Sequence, residues 1–195
     1  MRAHHPFLSA FAFPFPTFSF PLVALFTAVN QGSAEPFTLT SSNLRSGARL
    51  GLNQVYHGMG AGGRNLSPQL SWTGIPAGAK SLAITMYDPD APKTGGWWHW
   101  VVFNIPSTVS GLPEGASRTG EMPPFAVESV TDFGEPGYGG AAPPVGDKPH
   151  RYIFTLWALD VERLSLDARA AYTEVNKELG KHKIATATLS GIYSR

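Results

Sequence analysis

Apolar and polar positions alternate along this chain in short runs, with glycine and proline between them. Phe37-Thr38-Leu39-Thr40 alternates and predicts a first strand. Leu70-Ser71-Trp72 predicts another, closed by the turn residues Gly74-Ile75-Pro76. Ser81 to Tyr87 places Leu82, Ile84 and Met86 on one face, the period-two signature of a strand. Trp98 to Ile105 is apolar on both faces except at His99 and Asn104, which predicts a strand covered on both sides. Arg151 to Leu159 reads the same way. Strict alternation along Trp98–Ile105 would put His99 on the same face as Trp97, Val101 and Phe103.

The last part of the chain changes period. Thr173 is a candidate N-cap, Glu174 suits a first turn, and Val175 and Leu179 form an i,i+4 apolar pair. Gly180, followed by Lys181, His182 and Lys183, predicts the helix stop. Ile184 to Tyr193 returns to alternation and predicts a closing strand. Residues 106–149 are rich in Gly and Pro with little periodicity, and a stretch that long in a small domain is usually functional or disordered. There is no internal repeat and no βαβ rhythm. The pattern predicts a mainly β fold of two packed sheets with a C-terminal helix.

Composition narrows the function. Hydrophobic residues make up 43% of the 195 and charged residues 15%, enough apolar material for one core. The formal net charge is +1 with no basic block, so nucleic acid is not an expected partner. Cysteine is absent, which excludes disulfides, thiolate catalysis and cysteine-ligated metals.

Residues 1–34 differ from the rest. Arg2, His4 and His5 precede a Phe-rich apolar run, and small residues end it at Gly32-Ser33-Ala34. That order is a signal peptide cut after Ala34, leaving residues 35–195 as the domain. Pro6, Pro14, Pro16 and Pro21 interrupt the apolar run, so an uncleaved anchor or a mis-assigned start are the alternatives. No other segment is long and apolar enough to span a bilayer. The expected location is periplasmic or secreted, with the cytoplasm as the alternative.

Three motifs carry candidate chemistry. Gly58 to Gly63 matches G-x-G-x-x-G, but Pro68 and the strand pattern that follow argue against the helix a dinucleotide site requires. In Asp88-Pro89-Asp90-Ala91-Pro92, prolines hold two carboxyl groups in a stiff frame. Such a pair suits acid–base work, a cation, an ammonium head, or an Asx-type turn. His99 lies between two tryptophans, where a lone histidine is more often a core residue. His150 follows the Gly- and Pro-rich stretch Gly139 to Asp147. If these ends meet, two imidazoles and two carboxyls surround one cavity, as a metal site or an anion site.

DPDAP, then W-x-H, then a Gly/Pro loop leading to HRY, resembles the phosphatidylethanolamine-binding protein family, in its bacterial Raf-kinase-inhibitor-like branch. Asn65 to Trp72 and Gly191 to Arg195 support the likeness, which covers about Phe37 to Arg195. The resemblance implies an antiparallel fold of two sheets with a short C-terminal helix. It also implies a preformed pocket for phosphate or a phosphorylated head group. By motif that pocket would use Asp88, Asp90, Pro92, His99, Pro143, Pro144 and His150, with Tyr152 and the backbone of Gly140. Two positions depart from the family pattern. The spacer Lys93-Thr94-Gly95-Gly96 is short and lacks a tyrosine, and Ala141-Ala142 stands where bacterial relatives often have Pro-Cys. A non-catalytic binding protein is the expected function, with no cofactor and no metal. The alternatives are an inhibitor of a kinase or protease acting on a protein target, and an acid–base enzyme using His99 with Asp88 or Asp90.

Overall fold

The structure, a computed structural model, describes Met1 and residues 35–195. The expected leader lies outside the described residues. The strands are β1 (Thr38–Thr40), β2 (Leu70–Thr73), β3 (Ser81–Asp88), β4 (Trp97–Pro106), β5 (Gly111–Leu112), β6 (Val127–Glu128), β7 (His150–Leu159) and β8 (Lys183–Tyr193). Among the described residues, two α-helices, α1 (Ala116–Thr119) and α2 (Tyr172–His182), and a 3-10 turn at Leu52–Gln54 join them. One sheet has the order β1-β2-β5 and the other β6-β4-β3-β7-β8. Every pair of neighbouring strands is antiparallel. The fold is therefore mainly β with two sheets, as the period-two runs predict.

The larger sheet has a core on each face. Toward the smaller sheet, Leu82, Ile84, Met86, Trp100, Val102, Phe154 and Leu156 pack with Leu39, Leu70, Trp72 and Leu112. On its other face, Ala83, Val101 and Phe103 pack with Leu164, Val175 and Leu179. This second layer is why β3 and β4 are apolar on both sides. Val175 and Leu179 are fully buried, each contributing roughly 1.5–3 kcal/mol of transfer free energy. β7 departs from the prediction, because one of its faces is only half covered, and Arg151 on it is exposed.

Both helix ends differ from the expected places, the N-cap by two residues. Ala171, not Thr173, is the N-cap, and its backbone N–H donates to Glu174 Oε2 at 3.3 Å. The helix runs through Gly180 to His182 and passes straight into β8. Its last turn is held from outside: Asp160 N donates to the His182 carbonyl, and Asp160 Oδ1 lies 2.8 Å from His182 Nδ1. A tertiary clamp outweighs the local stop signal of one glycine.

Two irregularities in β4 matter for the site. Leu82 and Ile84 of β3 pair with Ile105 and Val102, and Met86 and Tyr87 pair with Trp100 and Trp98. Each step leaves one extra residue on β4. One bulge contains Asn104, which takes φ 60° and clasps Leu164 through both ends of its amide. The other is at His99. The two polar exceptions in an apolar strand are thus the sites of its two bulges, and each bulge re-aims a side chain. The face prediction for His99 holds for Trp97, which borders the same cavity, and fails for Val101 and Phe103. Trp98, not His99, shares the α2 side with Val101 and Phe103.

The 106–149 segment is not bare loop. It supplies β5, α1 and β6.

Candidate functional site

Antiparallel pairing sets the C-terminal end of β3 between the N-terminal ends of β4 and β7. Asp88, His99 and His150 therefore converge at one end of the larger sheet. They border a cavity of about 280 Å³, together with Pro92, Trp97, Phe133, Pro143, Pro144 and Tyr152. Most of the lining is apolar, and neither lysine nor arginine contributes to it.

Asp88 is buried at the cavity floor. One carboxyl oxygen accepts from the Asp90 backbone N–H at 2.8 Å, and the other lies 2.8 Å from His150 Nδ1. The second nitrogen of His150 is 3.4 Å from Asp147 Oδ2, so a carboxyl group faces each ring nitrogen. His99 is buried as well. Its Nδ1–H donates to the Gly139 carbonyl at 2.8 Å, and Gly139 N–H donates back to the His99 carbonyl. Burial pulls the His99 pKa down to about 4, against the opposing pull of that carbonyl and of Asp88. The ring is neutral at pH 7. Its Nε2 has no hydrogen-bond partner among the described residues.

Two more polar groups are buried at the cavity wall. The Trp97 indole N–H finds no partner among the described residues, and the Tyr152 hydroxyl lies beside the Asp88 carboxyl and the Ala142 backbone without a well-aligned hydrogen bond to either. Burial, with the charge of Asp88 as a lesser cause, raises the Tyr152 pKa, so its hydroxyl stays protonated. Unpartnered buried donors are costly and call for an explanation.

Asp90 and Gly140 do not line the cavity. Asp90 faces outward and takes Arg151 in a two-pronged pair at 2.8 and 3.0 Å, while also accepting the Arg151 backbone N–H. It fixes the start of β7, next to His150. The Arg151 hydrogen bonds hold the Asp90 pKa at about 2, below its ordinary 3.8. Stability from this pair is present above pH 4 and is lost as pH falls through 2. Acid unfolding of Asp90→Asn should therefore differ from wild type at neutral pH and converge with it by about pH 2. The difference will be small, because the Arg151 side chain is 59% exposed.

Gly140 acts from behind the wall. Its N–H donates to Asn65 Oδ1 at 2.6 Å, and Asn65 Nδ2 donates to the Tyr138 carbonyl. Alongside, Tyr56 N–H donates to the Ala141 carbonyl and Ala141 N–H to that of Gln54. Gln54, Asn53 and Asn43 are in turn gathered by one oxygen of Glu114. This scaffold sets the position of the Gly139 carbonyl, and through it the His99 ring.

Arg195 ties the mouth. Its Nε donates to the Pro143 carbonyl at 2.6 Å and its Nη1 to the Met59 carbonyl at 2.8 Å. Asn65, Trp97, Phe133 and Arg195 were not among the sequence candidates. Asn65, with φ 56°, follows a glycine-rich loop, a legible sign of a special backbone position. Arg195 ends the Gly191–Arg195 stretch that supports the family likeness, but no local pattern gives it a place at the site.

Fold and site define a two-sheet antiparallel β-protein with a small His/Asp cavity at a sheet end. Residues 40–194 match the family model described as phosphatidylethanolamine-binding protein, and the chain belongs to that family. It is 46% identical to the UPF0098 protein YbcL of Escherichia coli K12 over 165 residues, 84% of this chain and 90% of that one. It is 46% identical to YbhB of the same organism over 157 residues, 80% and 99% of the two chains. The crystal structure of E. coli YbcL, described as a new member of the mammalian family, matches with a TM-score of 0.80 over 82% of this chain and 98% of that one. A homolog from Chlamydia trachomatis, 34% identical, matches with a TM-score of 0.70 over 82% and 97%.

Proposed function

We propose that this protein is a non-catalytic binder whose cavity takes phosphate or a phosphorylated head group. The observation that carries this reading is the convergence of two imidazoles, His99 and His150, on one small and mostly apolar cavity in a chain of the phosphatidylethanolamine-binding protein family. The scaffold behind His99 and the Arg195 tie favour a preformed cavity, in which a ligand loses little entropy to ordering the protein. Met59 and Val145, exposed beside the mouth, favour a second reading, in which the site regulates a protein partner.

Calorimetric titration of the protein with inorganic phosphate and phosphorylethanolamine tests the first reading. Saturable binding at millimolar or lower concentration is expected, weakened at least about tenfold, or about 1.4 kcal/mol, in a folded His99→Ala variant. No binding at millimolar ligand, or equal binding by the variant, rejects it.

A further inference from the structure

We infer that Asp147 holds the ligand's place on His150, so that an oxyanion entering the cavity must displace this carboxylate. The inference rests on the proposed anion-binding function and names the residue that restrains it. Two carboxyl groups face the His150 ring, and they are not alike. Asp88 is buried, lies 2.8 Å from Nδ1, and is pinned by the Asp90 N–H. Asp147 lies 3.4 Å from Nε2, its side chain is 41% exposed, and its carboxyl has no other partner among the described residues. With Nδ1 taken up by Asp88, Nε2 is the only atom through which His150 can offer a ligand a hydrogen bond. Asp147 stands at that atom. His150 borders the cavity, as do Pro143 and Pro144, which begin the loop that carries Asp147.

The loop presents this carboxylate without depending on it. Gly146, at φ 90°, turns the chain, and Asp147 N–H donates to the Pro144 carbonyl. Gly146 N–H donates to the Arg195 carbonyl, and Arg195 Nε holds that of Pro143. None of these contacts uses the Asp147 side chain, so it can rotate away with the loop in place. Residues 144–149 are exposed, and a carboxylate turned outward there regains its hydration. A long, half-exposed ion contact is weak by itself. Its strength as a competitor comes from the tether: three residues from His150, the carboxylate is present at an effective concentration on the order of millimolar or above. Neither lysine nor arginine lines the cavity to offset its charge against an incoming anion.

The test is calorimetric titration of wild type, Asp147→Asn and Lys148→Gln with inorganic phosphate at pH 7. Asp147→Asn removes the competing charge and keeps the shape of the side chain. Phosphate should bind that variant at least about threefold more tightly than wild type. Its thermal unfolding should stay within about 1 °C of wild type, because the substitution is on the surface. Lys148→Gln changes the charge of the same exposed loop by one unit in the opposite sense. A long-range field would make the two effects equal in size and opposite in sign. Displacement from His150 predicts that Asp147→Asn gains clearly more than Lys148→Gln loses. A smaller gain than threefold, or equal and opposite changes in the two variants, overturns the inference while leaving the anion-binding reading standing. Absence of phosphate binding by all three proteins overturns both.

Discussion

Asp88→Ala should cost about 3 kcal/mol of folding stability, because it strands two buried donors at once. The Asp90 backbone N–H and His150 Nδ1 each depend on a separate carboxyl oxygen of Asp88, and both Asp88 and His150 are almost fully buried. For a domain of this size the melting temperature should drop by roughly 6–12 °C. Asp88→Asn is the informative companion. Its amide oxygen can still accept from Asp90 N–H, and its amide nitrogen can donate to His150 Nδ1 once that imidazole switches tautomer. It should lose no more than about 1 kcal/mol. Urea unfolding of the three proteins decides the matter. An alanine variant within about 0.5 kcal/mol of wild type would mean that water replaces the carboxyl group, and the floor of the cavity is not the closed network described above.

Gly140→Ala should be nearly as damaging, for a steric reason. A Cβ there would lie 2.4 Å from the Gln54 carbonyl oxygen and 2.6 Å from the Tyr56 nitrogen, both backbone atoms that cannot swing aside. Relief requires opening the bridge between Val55 and Ala141, which moves the neighbouring Gly139 carbonyl away from His99. The expected loss is about 2–3 kcal/mol, accompanied by loss of phosphate binding. Gly180→Ala is the matched control. Nothing lies within 4 Å of a Cβ at that helical position, so the same substitution should stabilise by about 0.5–1 kcal/mol. Thermal unfolding of both variants checks the opposite signs; two changes of the same sign would contradict the close backbone approach at Gly140.

The sheets were legible because their period is local. Leu82, Ile84 and Met86 announce β3 from seven residues, whatever packs on them. The second face of β4 was legible too, from its unbroken apolar run. The face occupied by His99 was not, because alternation presumes an unbroken ladder, and the bulge at His99 resets it. The polar residues themselves were the available warning: in a strand buried on both sides, His99 and Asn104 are where the ladder breaks. The role of Asp90 was also hidden. Its spacing from Asp88 fits a shared cavity equally well, and only the register of β7 brings Arg151 within reach of it. Asn65 and Arg195 reach the site across 75 and 52 residues of chain, to Gly140 and Pro143, beyond any local pattern.

The strand order has a kinetic consequence. β3, at the centre of the larger sheet, pairs on one side with the nearby β4 and on the other with β7, 62 residues from Asp88 to His150. The first pairing closes a short turn; the second must close the whole 106–149 stretch before any contact repays it. Folding should therefore be slow for a chain of this length, in the millisecond-to-second range of non-local β topologies. Asp88 meets His150 only after that late closure, so ligand capture in a refolding experiment should report the final event rather than the first.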